Sequence, residues 1–218
     1  MSVLRSLKER CDPGLAGLIV VDVQNDFCSP EGACARRGMD IKPGLEIMPN
    51  LYKLIDEARE VSLPIIYIQT VHSDWTDTEP WLYRKPEGAD TETCREGSWG
   101  VDFFDGIEPR ADERVVIKHR YSAFINTDLD TILKAKGIES VLLTGVATNV
   151  CVESTMRDAF MLDYYVTMVH DCMAGPDPVL HEGTLENTRR QFGLVASHRE
   201  VIDTWEGQDR NAKAPPGF

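Results

Sequence analysis

The chain has 218 residues, of which 42% are hydrophobic and 27% are charged, which is typical of a globular protein with a substantial core. It has 23 basic and 36 acidic residues and a net charge of −13. Because such a surface repels phosphate groups and anionic lipids, we expect no nucleic-acid or membrane partner. The start, MSVLRSLKER, lacks the apolar core of a signal peptide, and no apolar run approaches the roughly 20 residues of a membrane span. We therefore expect a cytoplasmic protein.

The chain has six cysteines, at positions 11, 28, 34, 94, 151 and 172. None belongs to a C-x-x-C motif or to a paired Cys/His spacing of the kind that binds zinc. In a chain of this size without an export signal, this pattern predicts free thiols in a reducing compartment rather than a disulfide framework.

Apolar segments alternate with segments in which apolar residues recur at helical spacing. Predicted strands cover 15–23, 65–70, 114–119, 141–144, 164–171 and 193–197, and predicted helices cover about 44–61, 128–136, 150–162 and 179–192. This alternation predicts an α/β protein, a three-layer α-β-α sandwich around a mainly parallel, Rossmann-like sheet. We expect one domain over residues 1–218, with a core at about 15–205 and a C-terminal tail at about 207–218.

Residues 72–106 form a long polar segment without clear periodicity, which contains Trp75, Trp81 and Trp99. Segments of this length inside a compact domain are usually lids or binding loops. The sequence leaves open whether this segment covers a site or contacts a neighbouring protein chain.

The segment LLTGVATNVCVESTMRDAF, residues 142–160, contains a candidate catalytic residue. A buried strand ends at Gly145, Thr148 and Asn149 are suitable helix N-caps, and a helical pattern follows. Cys151 is then expected in the first turn of a helix at the sheet's carboxyl edge. There, unpaired N–H groups and the helix dipole favour the thiolate. The pattern predicts a nucleophile, with an inert packing cysteine as the alternative.

Two further ionisable residues are expected at the same edge of the sheet. Asp26 follows the first strand in VDVQNDF, and Lys118 ends the third strand. A carboxylate can remove a thiol proton, and an ammonium group stabilises the thiolate. Taken alone, Asp26 is explained as a turn residue and Lys118 as a solvated edge residue. Together with Cys151 they predict a nucleophile, a base and a cation at one site.

These motifs resemble those of the isochorismatase-like cysteine hydrolases, over nearly the whole chain from about 15 to 205. That family includes nicotinamidases, N-carbamoylsarcosine amidases, biuret hydrolases and ureidoacrylate amidohydrolases. The strongest likeness lies in VDVQNDF, in the strand end at Lys118 and in TGVATNVCVESTMRDA. The resemblance implies a catalytic triad of Asp26, Lys118 and Cys151.

The resemblance also implies a cis peptide bond between Val146 and Ala147, and an oxyanion hole made by the N–H groups of Ala147 and Cys151. In the implied reaction, Cys151 attacks an amide or ureido carbonyl of a small molecule and an acyl-thioester forms. This chemistry needs no cofactor. Members of the family commonly form dimers or tetramers, so we expect a homo-oligomer.

Two departures from the family patterns narrow the function. The isochorismatases proper lack the cysteine, so Cys151 argues against that activity. Nicotinamidases have an Asp-x-His metal motif after the second strand, but here QTVHSDWTD contains His72 without the preceding aspartate, so we predict no metal. Residues 118–160 resemble the ureidoacrylate amidohydrolases most, and biuret hydrolases are close. The prediction is a cysteine-dependent amidohydrolase acting on a C–N bond of a small ureido or amide compound.

The alternatives are a nicotinamidase-like or broad small-amide hydrolase and a non-catalytic scaffold of the same fold. Small planar substrates favour a pocket with aromatic walls and a few hydrogen-bonding groups. The candidate substrate-binding residues are Phe27, Trp99, Tyr121 and Phe124 as walls and Gln24 and Asn149 as polar groups. Arg84 or Arg120 is a candidate to bind a substrate carboxylate, which ureidoacrylate has and biuret lacks. The sequence leaves that choice open.

Overall fold

The computed structural model describes residues 3–86 and 88–206, and the tail expected at about 207–218 lies outside them. The strands are β1 Ala16–Val21, β2 Ile65–Thr70, β3 Arg114–Lys118, β4 Ser140–Val146, β5 Tyr165–Ala174 and β6 Gly193–Ala196. The α-helices are α1 Leu7–Arg10, α2 Asn25–Cys28, α3 Ala33–Arg36, α4 Lys42–Glu46, α5 Met48–Glu60, α6 Glu79–Leu82, α7 Leu129–Ala135, α8 Glu153–Met161, α9 Pro178–Asn187 and α10 His198–Trp205. A 3₁₀ turn covers Trp99–Val101, and π-helical turns cover Thr148–Val152 and Thr188–Phe192.

The six strands form one sheet in the order β3-β2-β1-β4-β5-β6, and every pair is parallel. β1 is paired with both β2 and β4, so the chain builds the sheet outward in both directions from this point. In open sheets of this kind, ligands bind beyond the carboxyl ends of the strands where the order reverses. This topology confirms the predicted fold class.

Helices cover both faces of the sheet, and successive residues of β1 show why. Leu18 and Val20 pack in the cluster that contains α5 and α10, whereas Ile19 and Val21 pack in the cluster that contains α7 and α8. The whole of β1 is buried. An unbroken apolar strand is what a parallel sheet between two helical layers requires.

The first strand ends two residues earlier than the sequence predicts, and this shift matters for the site. β1 stops at Val21, and Asp22 adopts a positive φ of 52°. Aspartate tolerates this left-handed conformation better than most residues do. Asp22, rather than a residue of the following turn, is therefore the first side chain beyond the strand.

The turn that contains Cys151 also differs from the prediction. Thr148–Val152 is a π-helical turn that precedes α8, and its N-cap is Ala147, which has no capping side chain. Thr148 instead makes a 2.9 Å hydrogen bond with Nδ1 of His181 on α9. The prediction that Thr148 and Asn149 cap the helix is wrong, because Thr148 is bound to a neighbouring helix. Single turns of π-helix occur frequently at functional sites.

Within residues 72–106, the chain returns to the sheet edge at two isolated bridges. Gln24 pairs antiparallel with Phe103, and His72 pairs parallel with Arg95. The segment therefore lies against the carboxyl side of β1 and β2. No helix in the part of the chain that the structure describes is long and apolar enough to cross a membrane.

Candidate active site

Four polar residues meet where four adjacent strands end. Asp22 directly follows β1, Thr70 ends β2, Lys118 ends β3, and Cys151 follows β4 in the π-helical turn. All four residues are buried. We call Asp22, Thr70, Lys118 and Cys151 the rim network.

Lys118 is the centre of the rim network. Its Nζ lies 2.8 Å from Asp22 Oδ2 and 3.5 Å from Cys151 Sγ. Nζ also donates hydrogen bonds to Thr70 Oγ1, at 2.7 Å, and to the carbonyl oxygen of Arg120, at 3.1 Å. The Thr70 hydroxyl in turn donates to Asp22 Oδ1 at 3.0 Å. One ammonium group therefore contacts both a carboxylate and a thiol.

Asp26, the carboxylate predicted for the triad, is not part of the rim network. Its Oδ1 accepts a hydrogen bond from the Ala33 N–H at 2.8 Å, and its Oδ2 accepts one from the Cys94 N–H at 2.7 Å. The choice of Asp26 is therefore corrected to Asp22, because Asp22 is the residue that meets Lys118. The sequence contains a signal for this, since Asp22 is the first charged residue after the apolar run of β1.

Burial and neighbouring charges shift the pKa values of Cys151 and Lys118. Burial raises the pKa of the Cys151 thiol, and Asp22 raises it further, although Lys118 opposes both. Burial alone would lower the pKa of Lys118, but Asp22 and Cys151 outweigh burial, so this pKa is raised. Burial and Asp22 therefore favour the protonated thiol, whereas Lys118 favours the thiolate. The sequence predicts a thiolate favoured by a helix N-terminus, and burial acts against that preference.

The backbone before Cys151 is closely packed against β1. A Cβ added at Gly145, where φ is +101°, would lie 2.0 Å from the Val21 carbonyl oxygen, so only glycine fits there. The peptide bond between Val146 and Ala147 is cis. The carbonyl oxygen of Ala147 accepts hydrogen bonds from the N–H groups of Val150 and Val152. The oxyanion hole at Ala147 and Cys151 stays a prediction.

A small cavity of about 60 Å³ adjoins Val146 and Ala147. Its other walls are mainly apolar and include Phe27, Cys34, Met39, Ile41, Gly175 and Pro176. A cavity of this size holds a molecule equivalent to a few waters. Small compounds with few non-hydrogen atoms therefore fit it.

Of the two predicted polar contacts to substrate, Gln24 has another role. Its Nε2 donates to the carbonyl oxygens of Thr70 and Val101, and its Oε1 accepts from the Thr70 N–H. Gln24 is fully buried and joins β2 to the segment that contains Val101. Its assignment to substrate binding is therefore corrected to a structural role.

Asn149, the second polar candidate, has an unsatisfied side-chain oxygen. Its Oδ1 is buried and lacks a hydrogen-bond partner among residues 3–86 and 88–206. This oxygen lies 2.9 Å from the position of a Cβ added at Gly175, which lines the cavity. Asn149 stays a candidate for substrate contact.

The four predicted aromatic walls have different positions. Phe27 lines the cavity, whereas Trp99, Tyr121 and Phe124 are absent from its walls in the described part of the chain. Tyr121 and Phe124 pack against the buried cluster that contains Cys151, and Trp99 is 49% exposed. Only Phe27 of the four therefore lines this cavity, and contact of Trp99, Tyr121 and Phe124 with substrate stays a prediction.

The two candidate arginines also differ in how many of their guanidinium nitrogens already have a protein partner. Arg84 donates from Nε to the Tyr121 hydroxyl and from its two terminal nitrogens to the Trp81 carbonyl oxygen and to Asp90. All three guanidinium nitrogens of Arg84 therefore already have a protein partner. Arg120 uses one terminal nitrogen, which donates to two backbone carbonyl oxygens. Arg120 is the better placed of the two to meet a carboxylate.

One group of potential metal ligands occurs among the described residues, at Asp171, Cys172 and His198, with ligand atoms within 4.8 Å of one another. The His198 N–H and ring Nδ1 both bond the Asp171 carboxylate, an arrangement that fixes the start of α10. This group is separate from the rim network. His72, the residue matching the nicotinamidase motif, is buried with Nδ1 3.6 Å from Asp77 Oδ1.

Known proteins share both the sequence and the fold. The isochorismatase domain family matches residues 16–200. The ureidoacrylate amidohydrolase RutB of Methylobacterium radiotolerans is 35% identical over 201 residues, covering 85% of this chain and 77% of that protein.

Two solved structures show the same architecture. A cysteine hydrolase from Pseudomonas syringae pv. phaseolicola 1448A is 29% identical, with a TM-score of 0.79 over 94% of this chain and 98% of that one. An N-carbamoylsarcosine amidase from Thermoplasma acidophilum is 28% identical, with a TM-score of 0.69 over 84% of this chain and 96% of that one. Since the family match spans most of its length, the chain belongs to the isochorismatase domain family.

Proposed function

We propose that the protein is a cysteine-dependent amidohydrolase that cleaves a C–N bond of a small ureido or amide compound. Cys151 is the nucleophile, Asp22 is the general acid and base, and Lys118 is the cation that pairs with both. The single observation that supports this most strongly is the contact of the buried Lys118 with Asp22 and Cys151.

The chain is a hydrolase acting on C–N bonds, as are the ureidoacrylate amidohydrolase and N-carbamoylsarcosine amidase that it resembles. Both names describe compounds with a ureido or carbamoyl group. We extend that substrate class to this chain because its cavity is small and adjoins the peptide before the Cys151 turn.

In the first half-reaction, Asp22 accepts the thiol proton as Cys151 Sγ attacks the substrate carbonyl carbon. Because burial raises the pKa of the Cys151 thiol, a base assists this step, and Asp22 is close enough to act on the thiol. The N–H groups of Ala147 and Cys151 receive the developing oxyanion. Asp22 then gives its proton to the leaving nitrogen, the C–N bond breaks, and an acyl-thioester remains on Cys151.

In the second half-reaction, Asp22 removes a proton from water, and the resulting hydroxide attacks the thioester. The carboxylic or carbamic acid leaves, and the proton returns from Asp22 to the Cys151 sulfur. Lys118 stays protonated throughout, since its pKa is raised by the neighbouring Asp22 and Cys151. Its charge offsets the negative charge that alternates between the carboxylate and the sulfur.

The test is ammonia release from biuret, N-carbamoyl-β-alanine, N-carbamoylsarcosine and nicotinamide. We expect turnover of ureido compounds by the wild-type protein and none by Cys151→Ala, which should remain folded. Rapid quenching followed by mass spectrometry should show an acyl group on the peptide that contains Cys151. Cys172→Ala is the control, because Cys172 is equally buried but lies in the opposite core cluster.

Turnover near the wild-type rate in folded Cys151→Ala would refute the nucleophile assignment. Hydrolysis of nicotinamide alone would refute the ureido substrate class while leaving the mechanism in place.

A further inference from the structure

The buried carboxylate of Asp26 lies outside the rim network and joins a segment of the cavity wall to a second segment, residues 94–101. We propose that Asp26 is a positioning residue, which holds the cavity wall against the sheet edge and so limits the size of the group that Cys151 accepts. This inference rests on the proposed function, since it takes Cys151 as the reacting residue.

Asp26 is bound entirely by backbone groups. It is 3% exposed, and each of its carboxylate oxygens accepts one backbone N–H hydrogen bond, from Ala33 and from Cys94. No lysine or arginine forms an ion pair with it in the described ranges 3–86 and 88–206. Hydrogen bonds from N–H groups to a buried carboxylate are short and strong, so both segments are firmly held.

The first of these segments forms part of the cavity wall. Ala33, which donates to Asp26, precedes Cys34, and Phe27 directly follows Asp26. Both Phe27 and Cys34 line the cavity. The chain between them is packed closely, since a Cβ at Gly32 would lie 2.3 Å from the carbonyl oxygen of Asn25. A shift of Asp26 would therefore move this wall.

The second segment, residues 94–101, lies directly on the Asp26 carboxylate. A Cβ added at Gly100 would lie 2.1 Å from Asp26 Oδ2, so no side chain fits between them. The two preceding residues bind the same segment, because Asn25 Nδ2 donates to the Trp99 carbonyl oxygen and Gln24 Nε2 donates to that of Val101. We call the side chains of Gln24, Asn25 and Asp26 the clamp.

Replacement of Asp26 by asparagine weakens the clamp and leaves the rim network unchanged. The asparagine side chain has an NH2 group in place of one carboxylate oxygen. This NH2 group faces a backbone N–H, which is also a donor, so one of the two hydrogen bonds is lost and a buried donor is left unpaired. The wall at Phe27 and Cys34 is then free to move. The ion pair of Lys118 with Asp22 keeps all of its contacts.

The experiment compares alkylation of Cys151 by iodoacetamide and by the bulkier N-benzyl iodoacetamide, measured on the peptide that contains Cys151. In the wild-type protein, the small reagent should react faster. In Asp26→Asn, the rate ratio of bulky to small reagent should rise at least about threefold, because misplacement of a positioning group changes rates by up to about a hundredfold. The rate of alkylation by iodoacetamide alone should change by a smaller factor than this ratio of rates.

Gly100→Ala displaces the Asp26 carboxylate from the opposite side and should raise the ratio in the same direction. Gly183→Ala on α9 is the matched control, because a Cβ there has open space. If Asp26→Asn does not fold, Asn25→Ala removes one hydrogen bond to the same segment and provides the comparison. For a ureido compound that the wild type hydrolyses, KM should rise more than kcat falls in each clamp variant, a split that a fall in the folded fraction would not produce.

An unchanged ratio in folded clamp variants would overturn the positioning role. An equal loss of both alkylation rates would also overturn it, because that outcome places Asp26 in the chemistry of the thiol. Failure of the proposed function gives a different result, in which Cys151 of the wild type is not alkylated and no ureido compound is hydrolysed.

Discussion

Asp22 and Asp26 lie four residues apart in the segment VDVQNDF, and both are almost completely buried. Asp22 is surrounded by side-chain groups of Lys118, Thr70 and Cys151, which can carry or exchange a proton. Asp26 is surrounded by backbone N–H groups, which cannot. The comparison shows that the partners of a buried carboxylate determine what it can do, and that its presence in a motif does not.

The most direct test of this difference between Asp22 and Asp26 is to neutralise each aspartate in turn. We expect Asp22→Asn to lower kcat by about a thousandfold or more, because the base is lost and the site then acts as an incomplete unit. Asp26→Asn should lower kcat/KM by about ten- to a hundredfold, since it changes position and leaves the base intact. Steady-state ammonia release measures both, with circular dichroism to establish folding. A larger loss of activity in Asp26→Asn than in Asp22→Asn would assign the base to Asp26.

Removal of the cation tests whether the Lys118–Asp22 pair behaves as one unit. Lys118→Met leaves the Asp22 carboxylate buried without its cation, so the free energy of unfolding should fall by about 3–5 kcal/mol. Urea denaturation measures this change, and Lys136→Met, on the exposed surface, is the control. The double variant Asp22→Asn/Lys118→Met should recover part of the loss. No recovery would mean that Lys118 stabilises the fold independently of Asp22.

Thr70 is where the rim network meets the clamp. Its hydroxyl bonds Lys118 and Asp22, while its backbone bonds Gln24. Thr70→Val keeps the shape but removes the hydroxyl, so we expect kcat to fall by about tenfold, in line with the loss of one or two buried hydrogen bonds. Thr70→Ser should stay near the wild-type rate. If serine is as damaging as valine, the methyl packing of Thr70 matters more than its hydrogen bonds.

His72 extends the comparison to a buried group whose neighbouring carboxylate, Asp77, does not fully offset the effect of burial on its pKa. Burial lowers the pKa of His72 to about 4, although Asp77 partly opposes the effect. Since the unfolded value is near 6.5, stability from neutral His72 is complete above pH 6.5 and is lost as pH falls toward 4, by on the order of 3 kcal/mol.

The measurement is the free energy of unfolding as a function of pH. His72→Gln should flatten the decline between pH 6.5 and 4, and the half-buried His170→Gln should leave it unchanged. Parallel curves for wild type and His72→Gln would show that other groups cause the acid sensitivity.

The order of strands and helices could be predicted from the sequence because it depends on local hydrophobic patterns. The apolar runs of β1 and β4 and the helical spacing in α5 and α7 locate these elements to within a few residues. The sequence analysis predicts no helix after β6, although Ser197 and Glu200 form a capping box at the start of the short helix α10.

The choice between two aspartates could not be made in the same way. It depends on the backbone dihedral angles of one residue, Asp22, at the end of β1. It also depends on a contact with Lys118, which is distant in sequence. Residue types at strand ends predict which chemistry is present, but a shift of a few residues decides which side chain takes part in it.

The residues that line the cavity could not be predicted from local sequence patterns either. Tyr121 and Phe124 are close in sequence to Lys118, yet they pack against the core, while Met39 and Pro176 line the cavity from distant loops. The rise in the pKa of the Cys151 thiol cannot be predicted in this way either, since helix position is visible in the sequence and burial is not. Loop packing and desolvation are set by tertiary structure, which local patterns do not encode.

The burial of the Lys118–Asp22 pair has a consequence for the response to salt. Lys118 is 1% exposed and Asp22 is 0% exposed, so mobile ions cannot enter between their charges. At an ionic strength of 0.15 M, charges on a protein surface are screened over about 8 Å, whereas buried pairs are screened much less. Rising ionic strength should therefore weaken the field of the acidic surface while the chemical step for an uncharged substrate keeps its rate.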